Sequence, residues 1–199
     1  LAVLNSIRVV QLQTSSRNDV TTYANVGALG IDGCLSSFLG QAAANRRRLA
    51  YCLIGDLSFF YDMNAAGMRS VSANVRIILL NNGGGSEFHY YMGKRAIPTI
   101  DRFICAENER TATAWMSSLG YTCFAARSTE EVDAALLQMS QESDAPMFLE
   151  VFTNMDEDAT IVKETIRGGR QSSLKESLKD AAKDTLSPAQ LGFIKKIFH

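Results

Sequence analysis

The run Leu49–Gly85 reads LAYCLIGDLSFFYDMNAAGMRSVSANVRIILLNNGGG. It contains two apolar stretches, Leu49–Gly55 and Val75–Asn81, of strand length and rich in aliphatic and β-branched residues. A helix-like segment lies between them. A strand, a crossover helix and a second strand make a unit whose two strands run parallel. Each apolar stretch closes on a polar pair, Gly55-Asp56 in the first and Asn81-Asn82 in the second. Parallel strands bring both pairs to the same C-terminal edge of the sheet, where open α/β sheets bind their ligands. An Asp and an Asn at that edge offer oxygen atoms to a hard cation such as Mg²⁺. The first pair also opens a helix, whose N-terminus favours a phosphate. A helix-capping Asp and a turn-forming Asn pair would have the same composition. Spacing separates the two readings.

Asp56 and Asn82 stand 26 positions apart, and Gly84 follows two residues after the Asn. This resembles the diphosphate–metal motif of thiamine diphosphate (ThDP) enzymes, Gly-Asp-Gly followed after about 25 residues by Asn-Asn. The resemblance implies that Asp56, Asn82 and the backbone carbonyl of Gly84 hold Mg²⁺. It implies further that Gly55, Leu57, Ser58 and Gly85 line the diphosphate site. The third motif position is Leu57 rather than Gly. The menaquinone-pathway synthase branch, related to acetolactate synthase, tolerates Leu there, and GDLSFFYDMN is similar to that branch. Upstream, GALGIDG over 27–33 has the spacing Gly-x-x-Gly-x-x-Gly, not the Gly-x-Gly-x-x-Gly of a dinucleotide fingerprint. It resembles the segment of the same branch in which a large apolar residue wedges between the two cofactor rings. Ile31 takes that position. A bent cofactor would bring its amine against the reactive carbon, a positioning effect.

The remainder of the chain bounds these expectations. With 199 residues the chain is long enough for one α/β domain with a sizeable core. Hydrophobic residues make up 46% and charged residues 21%, as in an ordinary globular domain. A formal net charge of −1 gives no hint of a nucleic-acid partner, and none is expected. No apolar run approaches the length of a membrane span, and no signal peptide is visible. The four cysteines, Cys34, Cys52, Cys105 and Cys123, form no CxxC or Cys/His sequence cluster. Neither a zinc site nor a disulfide framework is expected from their spacing. Reduced thiols and a cytoplasmic location fit this usage.

Six strands are expected, near 1–4, 20–24, 49–55, 75–81, 121–126 and 147–152, alternating with helices. They predict a three-layer α/β sandwich with a mostly parallel six-stranded sheet, the ThDP-binding fold. Helices are expected from Ile7 to Gln13, from about 33 to 44, over 111–119, and from Ser128 to about 141. Ser128 and Glu131 have capping-box spacing. Residues 94–108 read as loop. The domain is expected to span 1–156, followed by a C-terminal helical arm over 157–199. The arm carries Leu174, Leu178, Leu191, Ile194 and Phe198 at helical spacing. Glu87 and His89 follow the metal Asn closely and are the local candidates for acid–base work.

The chain begins on Leu1 inside an apolar run, which reads as an excised C-terminal domain. The resemblance then implies a pyrimidine-binding domain, in the same or another chain, that supplies the cofactor-activating Glu. It also implies a homodimer or homotetramer and a 2-keto acid substrate. The whole would be a decarboxylase or carboligase, a transferase or lyase, with this chain inactive alone. In the related synthase two arginines bind substrate carboxylates, and the matching positions here are Val10 and Val26. Losing both cations argues against 2-oxoglutarate plus isochorismate as the substrate pair. Ser6, Arg8 and Asn25 remain as candidate substrate contacts. A subunit of a split decarboxylase and a non-catalytic regulatory module that kept the fold are the alternatives.

Overall fold

In the computed structural model the described residues are 1–2, 6–7, 10, 20–27, 30–92 and 99–166. The chain divides into two compact units, Leu1–Val162 and Lys163–His199. The sheet of the first unit has four strands: β1 (Ala50–Gly55), β2 (Val75–Asn81), β3 (Thr122–Ala126) and β4 (Met147–Phe152). All are parallel, in the order β1-β2-β4-β3. The expected α/β class and parallel sheet are present, but the described sheet has four strands and not six.

The shortfall lies at the N-terminal end. Residues 20–24 belong to no strand, and 3–5 lie outside the described residues. Single backbone bonds do join this region to the edge of β1. The Ala2 N–H donates to the Leu53 carbonyl at 2.9 Å, and the Asn25 N–H to the Leu1 carbonyl at 3.3 Å. Isolated bonds fix a direction without making a ladder. The helix expected over 7–13 and the arm beyond 166 fall largely or wholly outside the described residues.

Side-chain alternation along the strands explains why both faces are covered. Cys52, Ile54, Val75, Ile77, Leu79 and Phe148 face one side. There they meet Leu35 and Leu39 of the helix Cys34–Ala44, Phe59 of the helix Asp56–Asp62, and Met116 of the helix Thr113–Ser118. Ile78, Met147, Leu149 and Val151 face the other side and meet Ala135 and Met139 of the helix Thr129–Met139. Helix, sheet and helix make the three expected layers. The first half of the capping box forms, with the Ser128 hydroxyl accepting from the Glu131 N–H, while the Glu131 carboxylate reaches one residue further back and accepts from the Arg127 N–H at 2.6 Å. Gly120, at φ 88°, ends the preceding helix in the left-handed region open to glycine. A short helix, Ile100–Phe103, interrupts the stretch expected to be loop.

Two buried charges tie the layers together. Arg76 on β2 is fully buried, and its guanidinium donates to the carbonyls of Met139, Ala73, Val75 and Gln141. Glu150 on β4 is also fully buried and accepts from the N–H groups of Ala112 and Thr113, the Thr113 hydroxyl and the Asn81 amide. It therefore caps the helix Thr113–Ser118 from inside the sheet, where four donors offset the cost of burying its charge.

Candidate functional site

The parallel register sets the site. Gly55 pairs with Leu80 and Asn81 with Phe152, so β1, β2 and β4 all end within one row. Asp56, Asn82 and Thr153 leave the sheet together at this edge. Gly55 precedes the helix Asp56–Asp62 with an extended backbone, and Asp56 stands in its first turn. A Cβ on Gly55 would meet nothing within 4 Å, so the space above this strand end is open.

Asp56 is only 2% exposed. Its Oδ1 accepts the Leu57 N–H at 2.6 Å, while its Oδ2 is buried with no hydrogen-bond partner. Burial pushes the carboxyl up to about 6, against the amides of Leu57, Gly83 and Gly84, which pull it down. The glycine turn after β2 thus faces the carboxylate that ends β1. A buried carboxylate oxygen without a donor calls for a cation or a proton. Asn82 brings a neutral oxygen to the same edge, and its orientation is fixed. Its Nδ2 donates to Asp158 at 2.7 Å, Asp158 also accepts from the Thr153 hydroxyl, and the Asn82 Oδ1 accepts the Gly84 N–H at 3.3 Å. Glycine is required at 84. With φ 157°, a Cβ there would stand 2.8 Å from the Cys105 carbonyl and 2.9 Å from the Met155 sulfur. An Asp carboxylate, an Asn amide oxygen and nearby backbone carbonyls are a hard, all-oxygen donor set that fits Mg²⁺.

The remaining expected residues are placed as follows. Ser58 is buried and its hydroxyl donates to the Ile31 carbonyl at 2.5 Å, which ties the loop before the helix Cys34–Ala44 to the Asp56 helix. Ile31 is partly buried against the main core. Asp62 fastens the same two elements by accepting from the N–H and hydroxyl of Ser36. Gly85 donates its N–H to the Cys105 carbonyl at 2.7 Å. Glu87 and His89 lie on the helix Ser86–Met92. His89 is buried between two carboxylates, with Nε2 at 2.5 Å from Asp101 and Nδ1 at 2.9 Å from Asp156. Ser6 is buried, and the Asn25 amide donates to the Cys34 sulfur at 3.4 Å. Val26 is exposed. Arg8 lies outside the described residues.

Beside Asn82 and Gly83 opens a cleft of about 450 Å³, walled also by His89, Asp101, Glu107, Asn108, Glu109, Asn154, Met155 and Asp156. Asp101, Asp156, Asp158 and Glu150 were not singled out by sequence reasoning. Asp158 binds the Asn82 amide across 76 positions, and Glu150 binds the Asn81 amide across 69 and the Thr113 hydroxyl across 37, so no local pattern marks either residue.

No protein-family profile matches the chain. Curated proteins do. Over 166 residues, 82% of this chain, it is 39% identical to the 2-succinyl-5-enolpyruvyl-6-hydroxy-3-cyclohexene-1-carboxylate synthase of Bacteroides fragilis. It is 39% identical over 170 residues, 84% of the chain, to the synthase of the same name from Phocaeicola vulgatus. The Desulfotalea psychrophila synthase is 36% identical over 75% of the chain. The matched regions make up 30%, 30% and 28% of these relatives, so the chain spans less than a third of their length. It is homologous to one portion of the 2-succinyl-5-enolpyruvyl-6-hydroxy-3-cyclohexene-1-carboxylate synthases.

Proposed function

We propose that this chain is the diphosphate- and Mg²⁺-binding part of a ThDP-dependent 2-keto acid decarboxylase or carboligase. The observation that carries the reading is the buried, unpartnered Oδ2 of Asp56 facing the glycine turn after β2. Asp56 and Asn82 would hold the metal, with the Gly84 carbonyl as a third oxygen, and the open space above Gly55 leaves room for the diphosphate. When bound, ThDP supplies an electron sink for cleaving the bond between a keto carbon and a carboxylate. The chain's own residues bind and orient. The first-turn amides of the helix Asp56–Asp62 favour the diphosphate. Ser58 anchors the Ile31 loop, and Asp158 fixes the Asn82 amide. Asp101 holds the Nε2 of His89, and the Asp156 carboxylate stands 2.9 Å from its Nδ1.

Similarity to a portion of synthases three times its length supports placing the pyrimidine-binding half elsewhere in the same protein or in a partner subunit. A homodimer or homotetramer would then complete each site. A 2-keto acid remains the proposed substrate class, and Val10 and Val26 leave its carboxylate without the two arginines that the resemblance implies. The test is calorimetric titration of ThDP into the full-length gene product, with Mg²⁺ and with chelator. Binding is expected to require Mg²⁺ and to vanish in Asp56→Ala. Equal affinity in the variant, or indifference to the metal, would refute the site. The 199-residue chain alone is expected to release no carbon dioxide from pyruvate or 2-oxoglutarate. Metal-dependent release by that chain, lost in Asp56→Ala, would show that the acid–base group lies within it.

A further inference from the structure

Apart from the all-oxygen set, the fold assembles a second group of ligand atoms. His89, Asp101 and Cys105 each offer one donor atom, and the three atoms lie within 4.8 Å of one another. The His comes from the helix Ser86–Met92, the Asp from the helix Ile100–Phe103, and the Cys from the turn that follows it. We propose that these three side chains form a site for a borderline-soft divalent metal of the zinc class, with donors distinct from those of the adjoining Mg²⁺ edge.

Four observations carry this. First, the donors are one imidazole nitrogen, one carboxylate oxygen and one sulfur, a mixture that suits Zn²⁺ or Co²⁺ and does not suit Mg²⁺. Second, the far side of the histidine faces a second carboxylate. Nε2 faces Asp101, and Nδ1 stands 2.9 Å from Asp156. A histidine ligating through one nitrogen while a carboxylate fixes the other is the usual arrangement around protein-bound zinc. Third, the sulfur is pre-placed. Cys105 is fully buried against Ile100 and Met155. Its N–H donates to Ile100 and its carbonyl accepts from Gly85, and the next residue, Ala106, adopts φ 51°, unusual for a non-glycine residue. Fourth, His89 and Asp101 wall the 450 Å³ cleft, so a metal bound there keeps a coordination position open to it.

Ligand atoms of a tetrahedral zinc centre stand roughly 3.3–3.5 Å apart. Binding therefore widens the His89–Asp101 contact, now 2.5 Å, toward that spacing, and the sulfur, within 4.8 Å of both other donors, completes the set. Without metal, burial and then the charges of Asp101 and Glu107 push the Cys105 thiol up to about 11, so it is a neutral S–H. Metal binding breaks that S–H bond, forms a metal–thiolate bond and releases one proton to solvent, with no change of oxidation state.

Co²⁺ titration of the purified chain in chelator-stripped buffer tests the site, with Zn²⁺ as competitor. One equivalent is expected to bind with a thiolate-to-cobalt charge-transfer band that Zn²⁺ removes and excess Mg²⁺ does not. Cys105→Ser abolishes the band, and His89→Ala weakens binding at least about tenfold. Asp156→Asn, on a half-exposed side chain, keeps the band with roughly 10–100-fold lower affinity. It serves where a core variant does not fold. Asp56→Ala leaves the band intact, which separates this site from the ThDP reading. No band in the unmodified chain, a band that survives Cys105→Ser, unchanged affinity in Asp156→Asn, or loss of the band in Asp56→Ala would each overturn the proposal.

Discussion

Replacing Asp56 with Asn is expected to stabilise the metal-free chain, and to do so only where the native carboxylate is charged. The carboxyl is 2% exposed, one oxygen has no donor, and burial raises it from 3.8 to about 6 despite the helix N-terminus and three neighbouring amides. Those amides and the helix favour the charged form, by about 0.3–1 kcal/mol for a helix terminus; the desolvation penalty is larger and wins. A carboxyl raised on folding binds more protons in the native state, so stability falls as pH rises from about 4 to above 6. A shift of this size corresponds to about 3 kcal/mol above pH 7 and about half of that at pH 5. Asn keeps an acceptor for the Leu57 N–H and carries no charge. Urea unfolding in chelator should therefore show Asp56→Asn more stable by about 2–3 kcal/mol at pH 8 and nearly unchanged at pH 4. A stabilisation independent of pH would mean that the charge is not its source. A destabilised variant at pH 8 would mean that the carboxylate is satisfied in the metal-free protein, and the argument for a cation would fall with it.

Glu150→Ala should cost about 3–5 kcal/mol in urea unfolding, because the amides of Ala112 and Thr113 lose their buried acceptor. Glu150→Gln keeps one acceptor oxygen and should cost less than half as much, and equal costs for the two variants would contradict the network. Asp158→Ala should change stability by under about 1 kcal/mol, since the residue is only half-buried. It should nonetheless weaken Mg²⁺-dependent ThDP binding in the full-length protein by roughly 10–100-fold by freeing the Asn82 amide. Unchanged affinity would show that Asn82 needs no such support.

Much of this molecule was legible in its sequence because the signals were local. β2 and β4 have the bounds that their apolar runs predict, and β1 and β3 each begin one residue later. Ser128 and Glu131 cap their helix at the expected spacing. Asp56 and the Asn82–Gly84 turn could be brought together on paper because a parallel crossover leaves both strand ends on one edge. Periodicity and spacing carry information over one element and its connection. They do not determine which distant side chains meet. Glu150 caps a helix 37 positions before it, and Asp158 orients an Asn 76 positions before it. His89, Asp101 and Cys105 converge only because the turn after β2, its helix and the Ile100–Phe103 segment fold back onto one another. The two N-terminal strands read from apolar runs do not form ladders among the described residues, since a strand is defined by its neighbour's backbone as well as by its own side chains. The sequence by itself specified the sheet edge and the Asp56 and Asn82 side chains placed there. The tertiary structure alone decided which buried charges hold that edge in place, because their partners are set by packing between layers and not by order along the chain.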